Sequence, residues 1–328
     1  MAQTTTLSGK SVISTTAPLA NTSQSQWAQA WRRLRRNKAA VAGFCIIVFF
    51  VLVAILAPLI SPQNPLEDHS GKDYSPPFWQ AASPAGKTFD PRFILGTDDH
   101  GRDVLSRLIY GTRTSLMVGL LPVALILIFG CLIGFVSGLA GGWVDNLLMR
   151  VTDVFYAFPD VLFLILAQVA FGDTVFGKTW NGLLLFMMSL ALISWVGLAR
   201  LTRGSTLTIK GRDYIDAARG LGLSNWQIMM RHVLPNSLSV IVVWAAFAIP
   251  SFVLTETVLG FLGIGLKPAI RLSEIFIASW GRLLLDGRSN FASQPWFMGC
   301  TAIVIAIFVV AFTFFGDGLR DALDPRQK

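Results

Sequence analysis

The chain has 328 residues, of which 53% are hydrophobic and 14% charged, with a mean hydropathy of +0.58. Few soluble folds cover that much apolar surface, so the composition points to a polytopic membrane protein. The net charge of +8 does not mark a nucleic-acid binder, because the basic residues flank apolar runs and form no basic module of their own.

Residues 1–26 are rich in Thr, Ser, Gln and Ala and lack an apolar period, which predicts a disordered tail. From Gln26 to Lys38, Trp27, Trp31 and Leu34 recur at helical spacing opposite Arg32, Arg33, Arg35 and Arg36. That pattern predicts an amphipathic helix on anionic membrane lipid, so residues 1–38 read as a cytoplasmic tail. The next 22 residues, Ala39–Ile60, carry no charge and as a helix extend about 33 Å, enough to cross a bilayer. The run is too long for a signal peptide and reads as an uncleaved anchor.

Residues 61–113 form an expected extracytoplasmic loop, broken by Pro62, Pro65, Pro76, Pro77, Pro84 and Pro91. At its end Thr97 or Asp98 is placed to cap a short surface helix carrying Val104, Leu105, Leu108 and Ile109. The acids Asp98, Asp99 and Asp103 lie beside His100, but Arg102 and Arg107 match them in charge, and helix capping with salt bridging explains them without a metal. Cys45, Cys131 and Cys300 fall inside apolar runs and the three histidines are scattered, so neither a disulfide framework nor a metal site is expected.

Further apolar runs, Ser115–Gly142, Val154–Gly172, Trp180–Ala199, Val233–Thr255 and Phe291–Gly316, bring the expected spans to six. Six spans put both ends on one side. With the N-terminus inside, 16 of the 27 Lys and Arg residues are cytoplasmic, which favours both ends in. In the second span Gly130, Gly134, Gly138 and Gly142 recur at every fourth residue, a stripe for close helix packing within the chain or across a subunit interface. Asp160 and Glu256 are the acids nearest the hydrocarbon and are candidates for lining a passage.

Between Trp180–Ala199 and Val233–Thr255 lies a polar segment, 200–235, that must return to water. Tyr214, Ile215, Asp216, Ala217 and Ala218 favour a helix, and Gly222 ends it or admits another backbone. A second helix is expected from Ser224, as N-cap, to His232, stopped at Pro235. Asp216-Ala217-Ala218, then Gly222, then Leu234-Pro235 resembles the EAA loop of ABC importer permeases, with Asp216 in place of Glu and His232 where Ile is common. Arg231-His232-Val233-Leu234-Pro235-Asn236 resembles the version found in oligopeptide and dipeptide permeases. Leu95-Gly96-Thr97-Asp98, Gly101-Arg102-Asp103, Thr255–Gly265, Trp280-Gly281 and Gly316–Arg326 are similar to the C-type subunits of that family.

The resemblance implies an all-α membrane protein of the type I ABC importer permease fold, with residues 114–318 as the permease domain and 319–328 as a cytoplasmic tail. It implies that the EAA-like residues couple to two cytoplasmic ATP-binding subunits, beside a homologous second permease and an extracytoplasmic substrate-binding protein. Peptides are the cargo it implies, with nickel complexes, glutathione or other small solutes as alternatives. ATP and magnesium would be bound by the partners, so this chain is expected to be no enzyme and to hold no cofactor.

Gly172–Thr179 does match the Walker A pattern, but it joins two spans and lacks the preceding strand that a phosphate loop requires. Two rival classes are a secondary transporter driven by an ion gradient, disfavoured by the lack of midplane carboxylates and of an internal repeat, and a receptor whose binding module is the 61–113 loop.

Overall fold

Inside hydrocarbon a backbone satisfies its own polar groups most simply as a helix, and the charge-free runs of this chain do so. The computed structural model describes residues 26–83, 86–269, 271, 274, 276–289, 291–292 and 294–324. The polar tail expected before residue 26, and Arg326 and Lys328, lie outside them. The helices are α1 (Gln26–Arg36), α2 (Lys38–Ile60), α3 (Val104–Ala140), α4 (Gly142–Tyr156), α5 (Asp160–Phe171), α6 (Val175–Lys178), α7 (Leu183–Lys210), α8 (Asp213–Gly220), α9 (Asn225–Ile228), α10 (Leu234–Phe261), α11 (Trp280–Ser289) and α12 (Pro295–Leu323). A 3-10 turn, Thr179–Gly182, precedes α7, and a π turn, Met229–Val233, joins α9 to α10.

Among the described residues five helical stretches are long and apolar enough to cross a bilayer, and α4 with α5 makes a sixth only as a pair bent by 73°. The expected straight span Val154–Gly172 is therefore broken. Pro159 has no N–H to continue the ladder and stands as N-cap of α5.

Helix boundaries move elsewhere too. The short surface helix expected near Asp98 is the first part of α3, whose N-cap is Asp103, accepting from the Ser106 amide at 2.9 Å. Nothing breaks the chain between there and Ser115, so α3 runs on into the span. At the other end α3 stops at Ala140, because Gly141 and Gly142 take φ of 66° and 56°. Trp180 and Asn181 also have positive φ, 53° and 57°, so α7 starts later than expected. It ends later as well, at Lys210: Thr202 and Thr206 are polar yet fully buried, each donating to a carbonyl one turn back in α7. The 319–328 tail is helical as far as Leu323.

Two ends of the bundle can be told apart by their contacts. At one end Arg33 donates to the Asp324 carbonyl, and Ala30 and Leu34 of α1 pack with Ala40 and Ala322. Lys210 Nζ there donates to the Leu139 carbonyl at 2.8 Å, covering an orphan acceptor at the C-terminus of α3. The apolar face of α1 thus lies partly on α12, while Trp31, Arg32, Arg35 and Arg36 stay exposed. At the other end Trp296 donates to the Leu95 carbonyl, and Asn181 bridges to Glu274 and to the Phe276 carbonyl.

The 61–103 segment at that end has no helix or named strand among its described residues, only isolated bridges Ala82–Thr88 and Thr97–Asp103. Buried polar groups hold it. Arg107 Nη1 is 2.5 Å from Asp98, Arg107 Nη2 is 2.6 Å from Asp286 of α11, and Asp98 also accepts from Arg102 at 2.8 Å. Asp90 lies between Arg92 and Lys72, which hold its carboxyl well below the usual carboxylate range.

The α3–α7 contact is built on glycine. A Cβ on Gly134 would strike Thr202 Oγ1 and the Ala199 carbonyl, one on Gly138 would meet Thr206, and one on Gly130 would touch Leu198. The stripe therefore packs within the chain. Gly142 lies outside it: a Cβ there would meet nothing within 4 Å, and the residue begins α4 instead.

Gly134→Ala is expected to cost about 1–3 kcal/mol, because the Ala199 backbone cannot yield, whereas Gly204→Ala, which meets open space, should be neutral or slightly stabilising. Thermal midpoints of the two variants in one detergent check this. Arg107→Met should destabilise by about 3–5 kcal/mol, since it removes the cation that joins Asp98 to Asp286 in a buried network and leaves each acid only its second arginine, Arg102 or Arg282, and adding Asp98→Asn to it should recover part of the loss.

Candidate coupling site and passage

The site begins where α7 leaves the bundle. Arg203 of α7 holds Asp145 of α4 through two bonds of 2.6 Å, and Ser137 of α3 donates to the same carboxylate. This three-helix clasp, with the glycine stripe behind it, fixes the direction in which α7 delivers the chain to α8. Asp145 and Arg203 drew no attention in the sequence. A carboxylate three residues after a Gly-Gly break was the available signal.

Helix α8 is eight residues long, with Asp213 and Asp216 in its first turn and Arg219 in its last, the charge order that suits the helix dipole. Asp216 and Arg219 form a pair at 3.3 Å. Ile215 and Ala218 are buried, and Ile215 packs with Phe135, Leu139, Ile228 and Val233 in one apolar cluster. Ala218 therefore belongs to the seat of the helix. The face left open carries Tyr214, Asp216, Ala217 and, beyond the helix end, Leu221 at 81% exposure.

Gly222 is where glycine is required by conformation. Its φ is 82°, its N–H bonds the Arg219 carbonyl at 2.8 Å, and the Leu223 N–H bonds the Ala218 carbonyl at 3.2 Å, a Schellman stop. Of the two roles open to it, ending the helix is the one seen, since no other backbone comes within 4 Å of a Cβ built there. Two residues on, Ser224 accepts from the Gln227 amide while Gln227 Oε1 accepts from the Ser224 amide, a complete capping box.

The second helix does not end at Pro235. Pro235 sits in the first turn of α10, where a missing N–H is tolerated, and the π turn before it carries the chain across: the Leu234 amide reaches the Met229 carbonyl, five residues back. Asn236 Nδ2 takes up the His232 carbonyl at 2.6 Å. The rings of Tyr214 and His232 lie 5.9 Å apart, so Leu234-Pro235 and the α8 segment come together as one surface with Trp226 and Met230 exposed beside them.

The two candidate passage acids are not brought together. Glu256 is wholly buried near the end of α10, against the N-terminus of α11, beside Ser279 and Gly281. A Cβ on Gly281 would collide with Thr257, so the two backbones nearly touch there. Asp160 is exposed and lines a cavity of about 400 Å³ between α5, α7 and α10. A second cavity, of about 590 Å³, lies between α3, α5 and α7 and is walled by apolar side chains such as Phe129, Phe163 and Trp195.

Other chemistry is spoken for. In the Asp98-Asp99-His100 group, Asp98 accepts from the His100 and Arg102 amides and from two guanidinium groups, and His100 Nδ1 lies on Asp99, so the oxygens a cation would need are engaged. The Walker-like segment follows α5, a helix, and contains the four-residue α6. Lys267 from the α10–α11 connection takes the Gly172 carbonyl and Asp173.

The family model for binding-protein-dependent transport system inner membrane components matches residues 115–328, and that for the N-terminal TM domain of oligopeptide transport permease C matches residues 25–77. The oligopeptide transport system permease protein OppC of Haemophilus influenzae is 35% identical over 93% of this chain and 90% of its own. The dipeptide permease DppC of Alkalihalophilus pseudofirmus is also 35% identical, over 94% of this chain and 92% of its own. The glutathione permease GsiD of Pectobacterium atrosepticum is 33% identical, over 92% of each. Among solved structures, the inward-facing MetNI methionine ABC transporter shares the fold, with a TM-score of 0.52 at 17% identity over 67% of this chain and 97% of that one. The chain belongs to the family of binding-protein-dependent transport system inner membrane components, and is a multi-pass permease subunit of an ABC import system in the bacterial inner membrane.

Proposed function

We propose that this permease forms half of a translocation pathway for peptides, that a homologous second permease forms the other half, and that two cytoplasmic ATP-binding subunits drive it through the α8 surface. The single observation that carries the coupling role is the construction of 211–235: a short helix seated by Ile215 and Ala218, stopped by Gly222, with an open face of Tyr214, Ala217, Leu221 and Trp226. An exposed apolar face on a polar excursion from the membrane suits a protein partner better than water. Its seat on α3 and its continuity with α7 and α10 give a rigid route by which a displacement of α8 moves the spans.

In this reading ATP and magnesium reside on the partner subunits, and this chain neither hydrolyses nor holds a cofactor. Binding of ATP favours one arrangement of the partners, and only that differential affinity shifts the permease between its states. A binding protein delivers the cargo at the end formed by residues 61–103 and 262–294. Peptides are the cargo we favour because relatives alike over nearly the full chain are named for oligopeptides and dipeptides. The glutathione-named relative, at 33% identity, is itself named for a small peptide.

Leu221→Glu on the open face is expected to cut recovery of the ATP-binding subunits with the purified permease by tenfold or more while leaving its thermal midpoint unchanged. Ala218→Glu should instead lower the midpoint, because it puts a charge at a buried position. Equal recovery of ATPases by wild type and Leu221→Glu removes α8 as the docking element. Uptake should also persist when the proton gradient is collapsed at constant ATP and stop when ATP is exhausted with the gradient held; the reverse would favour a secondary transporter.

A further inference from the structure

The acids near α4 and α5 differ in one respect. Asp145 is held by Arg203, and Asp153 by Arg200 at 2.7 Å. Asp160 has no salt-bridge partner among the described residues, although it opens the first turn of α5, the apolar second arm of the bent pair. It stands in the wall of the 400 Å³ cavity whose other surfaces include Tyr156, Trp244 and Phe247, with the hydroxyls of Ser194 and Ser251. Aromatic walls, one carboxylate and two hydroxyls, with no lysine or arginine among the lining residues, make a set of acceptors and π faces with nothing to attract an anion. The cavity's own edge shows the chemistry at work: the Arg200 guanidinium sits 4.3 Å from the centre of the Tyr156 ring, and its charge is balanced by Asp153.

We propose that this cavity is a cation-selective stage of the passage, which holds the primary ammonium group of a solute in transit, with Asp160 as its counter-charge and the rings of Trp244 and Phe247 as its walls. The assignment rests on the reading of the chain as half of a translocation pathway and adds to it the group recognised: the free amino terminus of a peptide, not its carboxylate. Neither cysteine nor histidine lines it, so a transition-metal ion has only one protein carboxylate to bind and is not the occupant the walls favour.

The test uses the assembled importer in membrane vesicles, with Cys45, Cys131 and Cys300 changed to Ala and Ser251→Cys as reporter. Labelling rates with a trimethylammonium-bearing and a sulfonate-bearing methanethiosulfonate are each divided by the reagent's rate on a free thiol. The cationic reagent is expected to be favoured by about tenfold, the scale of one nearby unit charge in a partly screened site, with the preference lost in Asp160→Asn and kept in Asp160→Glu. Equal normalised rates, a preference that survives Asp160→Asn, or a reporter that neither reagent reaches would each overturn the proposal. Uptake of trialanine against N-acetyl-trialanine is measured alongside. If the vesicles import neither, the peptide reading fails, while the labelling ratio still decides whether the cavity selects cations.

Discussion

The constraint on which the rest of the structure depends is the distance between α3 and α7. Gly130, Gly134 and Gly138 remove the side chains that would hold the helices apart, and Leu198, Thr202 and Thr206 fill the notch. Lipid tails offer no hydrophobic drive for helices to associate, so such contact is earned through van der Waals packing and a few hydrogen bonds. Thr202 fits both roles: its hydroxyl donates to the Leu198 carbonyl within α7, lies 3.3 Å from the Gly130 carbonyl of α3, and fills the space at Gly134. Because α7 continues past the membrane-like stretch to Lys210, this contact also sets where the α8 surface stands.

The opposite end is fastened by charge. Arg107 ties the start of α3 to Asp98 nine residues before it and to Asp286 on α11, 179 residues on, so the 61–103 segment, α3 and α11 meet on one buried guanidinium. A buried ion network is a poor source of net stability but a good source of uniqueness, since any other arrangement strands a charge. Trp280 beside it, fully buried against Phe50 and Phe308, anchors α11 to α2 and α12. The α3–α7 end thus combines close packing with the Arg203–Asp145 clasp, while the other rests on a buried ion network.

Much of this was legible in the residues. Runs without charge gave the number of crossings, the period of four in the glycines gave a packing face, and Asp216–Pro235 gave the exposed excursion. Helix ends were not legible where polarity misled: Thr202 and Thr206 look like residues for water but bond their own helix and face α3. The break at Ala157–Pro159 was hidden because the apolar run on its two sides is continuous in composition. The inward turn of Ala218 could not be seen either, since an alanine carries no sign of which side it faces until Ile215 beside it is known to be seated among Phe135 and Val233.

The π turn at Met229–Val233 sets more than a local bend. One residue more than an α-helical turn needs changes the angular phase of everything after it by about 100°. The Trp226 side of the excursion and the Ser237–Ile241 side of α10 are therefore related by an offset that no individual side chain encodes. Chain length within a single turn acts here as a setting, like the tooth on which two gears are meshed. Removing one residue from that turn would preserve the composition of both faces and yet point them in different directions.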